Sequence, residues 1–239
     1  MTSKIETILK NNSVLQEIYK VAFSFIFRIL GLFIKIDDRL ILFNSFGGKK
    51  FDDSPKVIFE YMKNDKRFKG YKFIWAFHNP ENFEVDGAKK IKTDTLQYFI
   101  YALKARVWIT NSSMERGLNF KKKRTFCLNT WHGTPIKKMG IDINKKELSN
   151  IKYNYDKFNA QGEYDIKIFS KAFNLSFEKF LLCGLPRNDE LADSINNPNL
   201  QAEKKSKLNI PINKKVILYA PTFRDYIKDE KRRHVISVH

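Results

Sequence analysis

The chain has 239 residues, 43% of them hydrophobic and 14% aromatic, which is enough for a substantial core and excludes a disordered chain. Its formal charge of +18 asks for an anionic partner, yet the lysines are scattered in pairs. No recognition helix, zinc-finger spacing or aromatic RNP motif accompanies them, so nucleic acid is not an expected partner.

Residues 4–36 read as a helix of mixed character. Its apolar stretch, 21–34, has Arg28 at the centre, too short and too interrupted for a span of about 20 residues. No small-residue cleavage site follows, which argues against a signal peptide. With Lys4, Lys10, Lys20, Arg28 and Lys35 along it, the segment is expected to lie in the interface of an anionic membrane. The alternative is a helix packed against the domain.

Residues 40–43 form the first expected strand, before a Gly47-Gly48 turn. Asp53-Ser54-Pro55 starts a helix running on through 56–64, with proline in its first turn. A strand over 71–77, a helix over 95–105 and strands over 107–110 and 125–130 follow, with the basic run 121–124 read as a solvated loop. This succession implies an α/β, Rossmann-like parallel sheet covered by helices. Further on, 141–160 reads as loop plus helix, 166–177 as helix, 179–183 as strand, and 187–195 as the opening of a helix. Residues 201–208 read as a short charged helix and 216–220 as a strand. Cys127 and Cys183 lie in apolar runs with no CxxC or histidine cluster, so zinc is not expected and two buried reduced thiols are.

The segment from Asn129 to Gly140 carries the most chemistry. His132 lies just past a strand end, where ligands of such sheets sit. An imidazole moves protons near neutral pH, and the N–H groups of the Gly133-Thr134-Pro135 turn, with Lys137 and Lys138, can hold phosphate oxygens. The plain alternative is turn chemistry, with the imidazole satisfied by backbone. Arg187-Asn188-Asp189 has a similar alternative as a helix N-terminus.

Six segments, in one order, resemble the CDP-glycerol glycerophosphotransferases, the teichoic-acid primases and polymerases of Gram-positive bacteria. They are Asn44-Ser45-Phe46-Gly47-Gly48, Asp53-Ser54-Pro55, Tyr71 to Trp75, the His132 segment, Gly184 to Asp189, and Val216 to Asp225. The resemblance implies a GT-B architecture of two facing Rossmann-like domains, and glycerol phosphate transfer from CDP-glycerol to a lipid-linked polyol-phosphate acceptor. It implies His132 as catalytic base, and Trp131, Gly133, Thr134 and Pro135 as part of the donor-binding turn. Arg187 would reach the diphosphate, and Pro221 and Thr222 the nucleotide side. No metal or cofactor is implied beyond CDP-glycerol as donor substrate. The expected location is peripheral, on the cytoplasmic face of the plasma membrane.

The expected division is a membrane-associating helical segment over 1–37, the N-terminal Rossmann-like domain over 38–195, and a linker with one strand of a second domain over 196–239. The family's second histidine and Ser-rich turn have no counterpart in the sequence. The resemblance therefore implies a truncated member with the second domain largely missing, and the truncation leaves its activity open. The alternatives are a CDP-ribitol transferase and a non-catalytic membrane- or polyanion-binding remnant.

Overall fold

The computed structural model describes residues 13–143 and 153–220. Pro221 and Thr222, with the rest of the C-terminal segment, and most of the helix expected within 141–160 lie outside the described residues. Two compact units divide after Glu190.

The first unit is built on a sheet whose seven strands are all parallel, in the order β3-β2-β1-β4-β5-β6-β7. The strands are β1 (Asp37–Asn44), β2 (Lys72–Phe77), β3 (Lys89–Lys92), β4 (Ala105–Thr110), β5 (Phe126–Asn129), β6 (Lys157–Ala160) and β7 (Phe180–Leu182). The order reverses between β1 and β4, so the loops leaving these neighbours diverge and open a crevice at the carboxyl edge. Helices α1 (Ser13–Phe33), α2 (Asp53–Asn64), α3 (Leu96–Lys104) and α4 (Glu163–Ala172) complete most of the unit.

Both faces of the sheet are buried at its centre, which is why β1, β2 and β4 carry continuous apolar runs rather than alternating ones. On one face Phe43 and Trp75 stack at 5.4 Å and Trp75 and Phe77 at 5.6 Å, with Phe59 of α2 edge-on to Phe43 and Trp75. On the other, Leu42, Ile74 and Trp108 meet Phe99 and Leu103 of α3 and Phe169 of α4 in one cluster.

α1 packs one face on this second cluster. Phe27 stacks on Phe99 at 4.2 Å, Ser24 Oγ accepts from the Asn119 N–H at 2.9 Å, and Arg28 Nε donates to the Asn119 carbonyl at 2.8 Å. The opposite face, with Val14, Ile18, Val21, Phe25, Leu32 and Phe33, is exposed. No described helix is long and apolar enough to cross a membrane.

Two strands had no clear signal in the sequence. β3 offers only Ile91 between lysines, as an edge strand does, and β6 is four residues long. α4 stops at Ala172, with Asn174 left-handed just beyond, earlier than the expected 177. The basic run is more than a solvated loop: Lys121 is mostly buried and paired with Asp156 at 2.9 Å, and Lys122 Nζ donates to the Ile34 carbonyl. Cys127 is buried as expected, whereas Cys183 is exposed because it follows the edge strand β7; both thiols are free.

Helix α5 (Asp189–Ser194) begins beside the unit boundary. The second unit holds α6 (Pro198–Lys207), capped by Asn197, whose Oδ1 accepts from the Leu200 N–H at 3.1 Å. Residues 216–220, expected as a strand, form none; Ile217 is 93% exposed and Leu218 86%. An apolar run supplies the pattern of a strand but not the neighbour that must take its hydrogen bonds, and no described strand lies beside it.

Candidate active site

Four strands carry a buried asparagine at or beside their carboxyl ends: Asn44 and Asn129 close β1 and β5, Asn111 follows β4, and Asn159 is the next-to-last residue of β6. A buried amide must be satisfied: Asn44 Nδ2 donates to the Ala76 carbonyl of β2 at 3.0 Å, and the others bond the loops they hold. Asn111 Oδ1 accepts from the Phe46 N–H at 2.7 Å, Asn129 Nδ2 donates to the Ser112 carbonyl at 2.7 Å, and Asn129 Oδ1 accepts from the Trp131 N–H at 2.7 Å. Thus the loops after β1, β4 and β5 are fixed to one another. The sequence did carry this signal for β1, β4 and β5, as an asparagine closing an apolar run.

Backbone strain collects at the same edge. Phe46, Asp53, Asp94, Arg116 and Trp131 all have φ between 47° and 64° without being glycine. Phe46, Arg116 and Trp131 each cost on the order of 1–2 kcal/mol, Asp53 and Asp94 less, and such residues persist where the surroundings over-determine them. Among the described residues the other two left-handed ones that are not glycine are Asn174 and Asn209, an amino acid that tolerates the conformation.

His132 follows the strained Trp131. The two rings stack at 4.2 Å, and the Phe46 ring lies 5.7 Å from the imidazole on a different loop. Trp131 itself is packed among Phe158, Phe169 and Phe173, so its indole is a wall anchored in the core. Gly133 adopts φ 143°, and a Cβ there would come within 3.5 Å of Arg187 Nη2. Thr134 Oγ1 accepts from Gln161 Nε2 at 2.8 Å, and Pro135 is buried.

Arg187 comes from the far side of the sheet to meet this loop. Its Nη1 donates to the His132 carbonyl at 2.8 Å and to Asp53 Oδ2 at 3.0 Å. The Asp53 side chain is only 3% exposed, and its Oδ1 accepts from the Ser54 N–H at 2.6 Å. Of the residues singled out by sequence, Trp131 to Pro135 and Arg187 are therefore together. Asp53 was read as a helix start and as part of a family-like segment but given no role at the site, and its partnership with Arg187, 134 positions away, has no local signature.

Partial burial holds the His132 pKa below its ordinary value of 6.5; Asp53 pushes it up and Arg187 pushes it down. The imidazole is then neutral at pH 7, the state a base requires. The opposing signs give a test by NMR titration of the imidazole. Asp53→Asn is expected to lower the His132 pKa further, and Arg187→Gln to raise it. Shifts in the same direction would contradict this electrostatic account.

Two cavities lie near the histidine loop through its partners, Arg187 in one and Phe46 in the other, and His132 itself lines neither. One, of about 880 Å³, lies along α2 and includes Arg187. Five carboxylates (Asp52, Asp53, Glu60, Asp65, Glu190) line it against three cations (Lys56, Lys66, Arg187). The other, of about 590 Å³, is bounded by Phe46, Gly47, Lys49, His78, Asp94, Ser112, Ser113, Arg116 and Gly117. Among the described residues no cluster of three or more His, Cys, Asp or Glu groups could hold a metal ion.

Residues 25–238 match the model of a family described as CDP-glycerol:poly(glycerophosphate) glycerophosphotransferase. A teichoic acid poly(glycerol phosphate) polymerase of Bacillus spizizenii is 34% identical over 94% of this chain and 58% of its own length. A teichoic acid glycerol-phosphate transferase of Staphylococcus aureus is 37% identical over 78% of this chain and 51% of its own. A solved structure of the wall teichoic acid polymerase TagF, a variant soaked with CDPG, matches with a TM-score of 0.73 at 34% identity, over 89% of this chain and 56% of that one. The chain thus spans little more than half the length of these relatives.

Proposed function

The chain belongs to the CDP-glycerol:poly(glycerophosphate) glycerophosphotransferase family, and on that basis we propose that it serves transfer of glycerol phosphate from CDP-glycerol to a lipid-linked polyol-phosphate acceptor in teichoic-acid or related polymer synthesis. The observation that carries the reading is His132, an imidazole of lowered pKa at the carboxyl edge, on a loop held by Arg187 and Asp53. In the reaction His132 takes the proton of the acceptor hydroxyl. The hydroxyl oxygen forms a bond to the β-phosphorus of CDP-glycerol as the bond from that phosphorus to the bridging oxygen breaks, and CMP leaves with the electron pair.

The Gly133-Thr134-Pro135 turn and Arg187 serve the donor phosphates in this reading, with Trp131 as the wall behind the imidazole. Arg187 Nη1 is already engaged by Asp53 and the His132 carbonyl, which leaves Nη2 to face a phosphate. Pro221 and Thr222 are proposed on the nucleotide side. Calorimetry with CDP-glycerol tests the donor assignment: the chain binds it, and Arg187→Ala weakens binding at least about tenfold, the scale of a lost charge-assisted hydrogen bond. Equal binding by the variant, or tighter binding of CDP-ribitol, would overturn that assignment.

The proposed location is the cytoplasmic membrane face. The exposed apolar side of α1 supports it, because a helix with one face in the core and an apolar face in water suits an anionic lipid interface. Each exposed phenylalanine contributes about 1.5–3 kcal/mol when buried, so Phe25→Ser with Phe33→Ser is expected to reduce partitioning into anionic vesicles about a hundredfold. Unchanged vesicle sedimentation would remove the membrane from this reading.

A further inference from the structure

The smaller cavity lies at the reversal of strand order, between the loops that leave β1 and β4, with His78 of the β2 end on its rim. Three of its lining residues, Phe46, Asp94 and Arg116, are left-handed at positions that are not glycine, so its shape is held under strain. Arg116 is fixed as a wall: Nε and Nη2 donate to the two Asp94 oxygens at 2.8 and 2.7 Å, and Nη1 donates to the Gly47 carbonyl at 3.2 Å.

Asp94 cancels the Arg116 charge. Lys49 has no ion pair among the described residues and leaves the cavity one net positive charge, with the exposed Ser113 hydroxyl beside it. That balance suits one phosphodiester, whereas the acidic excess of the larger cavity repels a chain of them. Phe46 belongs to the cavity wall and its ring centroid lies 5.7 Å from that of His132, so one side chain separates a ligand seated here from the imidazole, a gap that a terminal glycerol unit would have to reach around.

We infer that this cavity seats the last phosphodiester of the acceptor's polyol-phosphate chain, with Lys49 as its counter-charge, and so brings the terminal hydroxyl to His132. The inference rests on the transferase reading and deepens it. It makes the growing end recognisable by its phosphate rather than by its hydroxyl alone.

Binding of a synthetic glycerol phosphate trimer to the full chain, measured by calorimetry, tests it. Lys49→Glu and Ser113→Asp, both at exposed positions, are expected to weaken the trimer at least about tenfold, the scale of one lost charge-assisted contact. Lys72→Glu makes the same charge change at the opposite edge of the sheet and is expected to leave the affinity unchanged. Inorganic phosphate is expected to bind far more weakly than the trimer.

Equal effects of Lys49→Glu and Lys72→Glu, no effect of either, or phosphate binding as tight as the trimer would each overturn the inference. CDP-glycerol binding, measured in parallel, separates the two levels. A chain that binds CDP-glycerol but whose trimer affinity ignores Lys49→Glu fails this inference alone. A chain whose trimer affinity falls with Lys49→Glu supports it, even where CDP-glycerol does not bind.

Discussion

His132→Ala is expected to lower glycerophosphate transfer by about a hundredfold to ten-thousandfold, the span that removal of a positioned general base covers. In the proposed reaction the imidazole would act on the acceptor proton only as the transition state forms, so kcat and kcat/KM should fall together while KM for CDP-glycerol stays put. The histidine is only partly covered, its ring lying on Trp131, which the core holds independently through Phe158, Phe169 and Phe173. The variant should therefore keep the thermal stability of the parent. The pH profile adds a readout that a structural role would not move: the rising limb of kcat/KM should lie below 6.5, as burial of His132 dictates, and disappear in the variant. A raised KM with unchanged kcat would make His132 a binding residue instead.

The second large effect concerns Arg187 and Asp53, and it should be asymmetric. Arg187→Met leaves the Asp53 carboxylate, 3% exposed, with the Ser54 N–H as its remaining described donor. A buried ion stripped of its partner destabilises by about 3 kcal/mol or more. Asp53→Asn leaves Arg187, whose side chain is 36% exposed, free to turn toward water, and costs only about 1 kcal/mol. The double variant should then be more stable than Arg187→Met alone, since no unpaired charge remains. Urea denaturation of the three variants checks this order. Equal losses from the two single changes would mean that the pair is solvated and does not hold the histidine loop.

The sequence made the fold class legible because a parallel sheet covered on both faces writes itself as apolar runs, and β1, β2, β4 and β5 are such runs. It hid β3 and β6, where the sheet supplies stability that the short segments lack on their own. It overstated 216–220, where an apolar pattern meets no neighbouring strand among the described residues. At the site, His132 was legible from its position past a strand end. Asp53 was not, because its role comes from an ion pair across 134 positions, and its left-handed backbone carries no mark such as glycine. The buried asparagines lay between: visible as strand-ending residues, but meaningful only once the loops they hold are seen together.

The most direct test of the central reading is phosphorus NMR of the chain incubated with CDP-glycerol and a glycerol-phosphate-primed lipid acceptor in vesicles. The account predicts CMP appearing in step with a new phosphodiester resonance, both lost with His132→Ala. CMP and phosphodiester formed at the same rate by His132→Ala would contradict it, because the imidazole would then stand beside the reaction rather than within it.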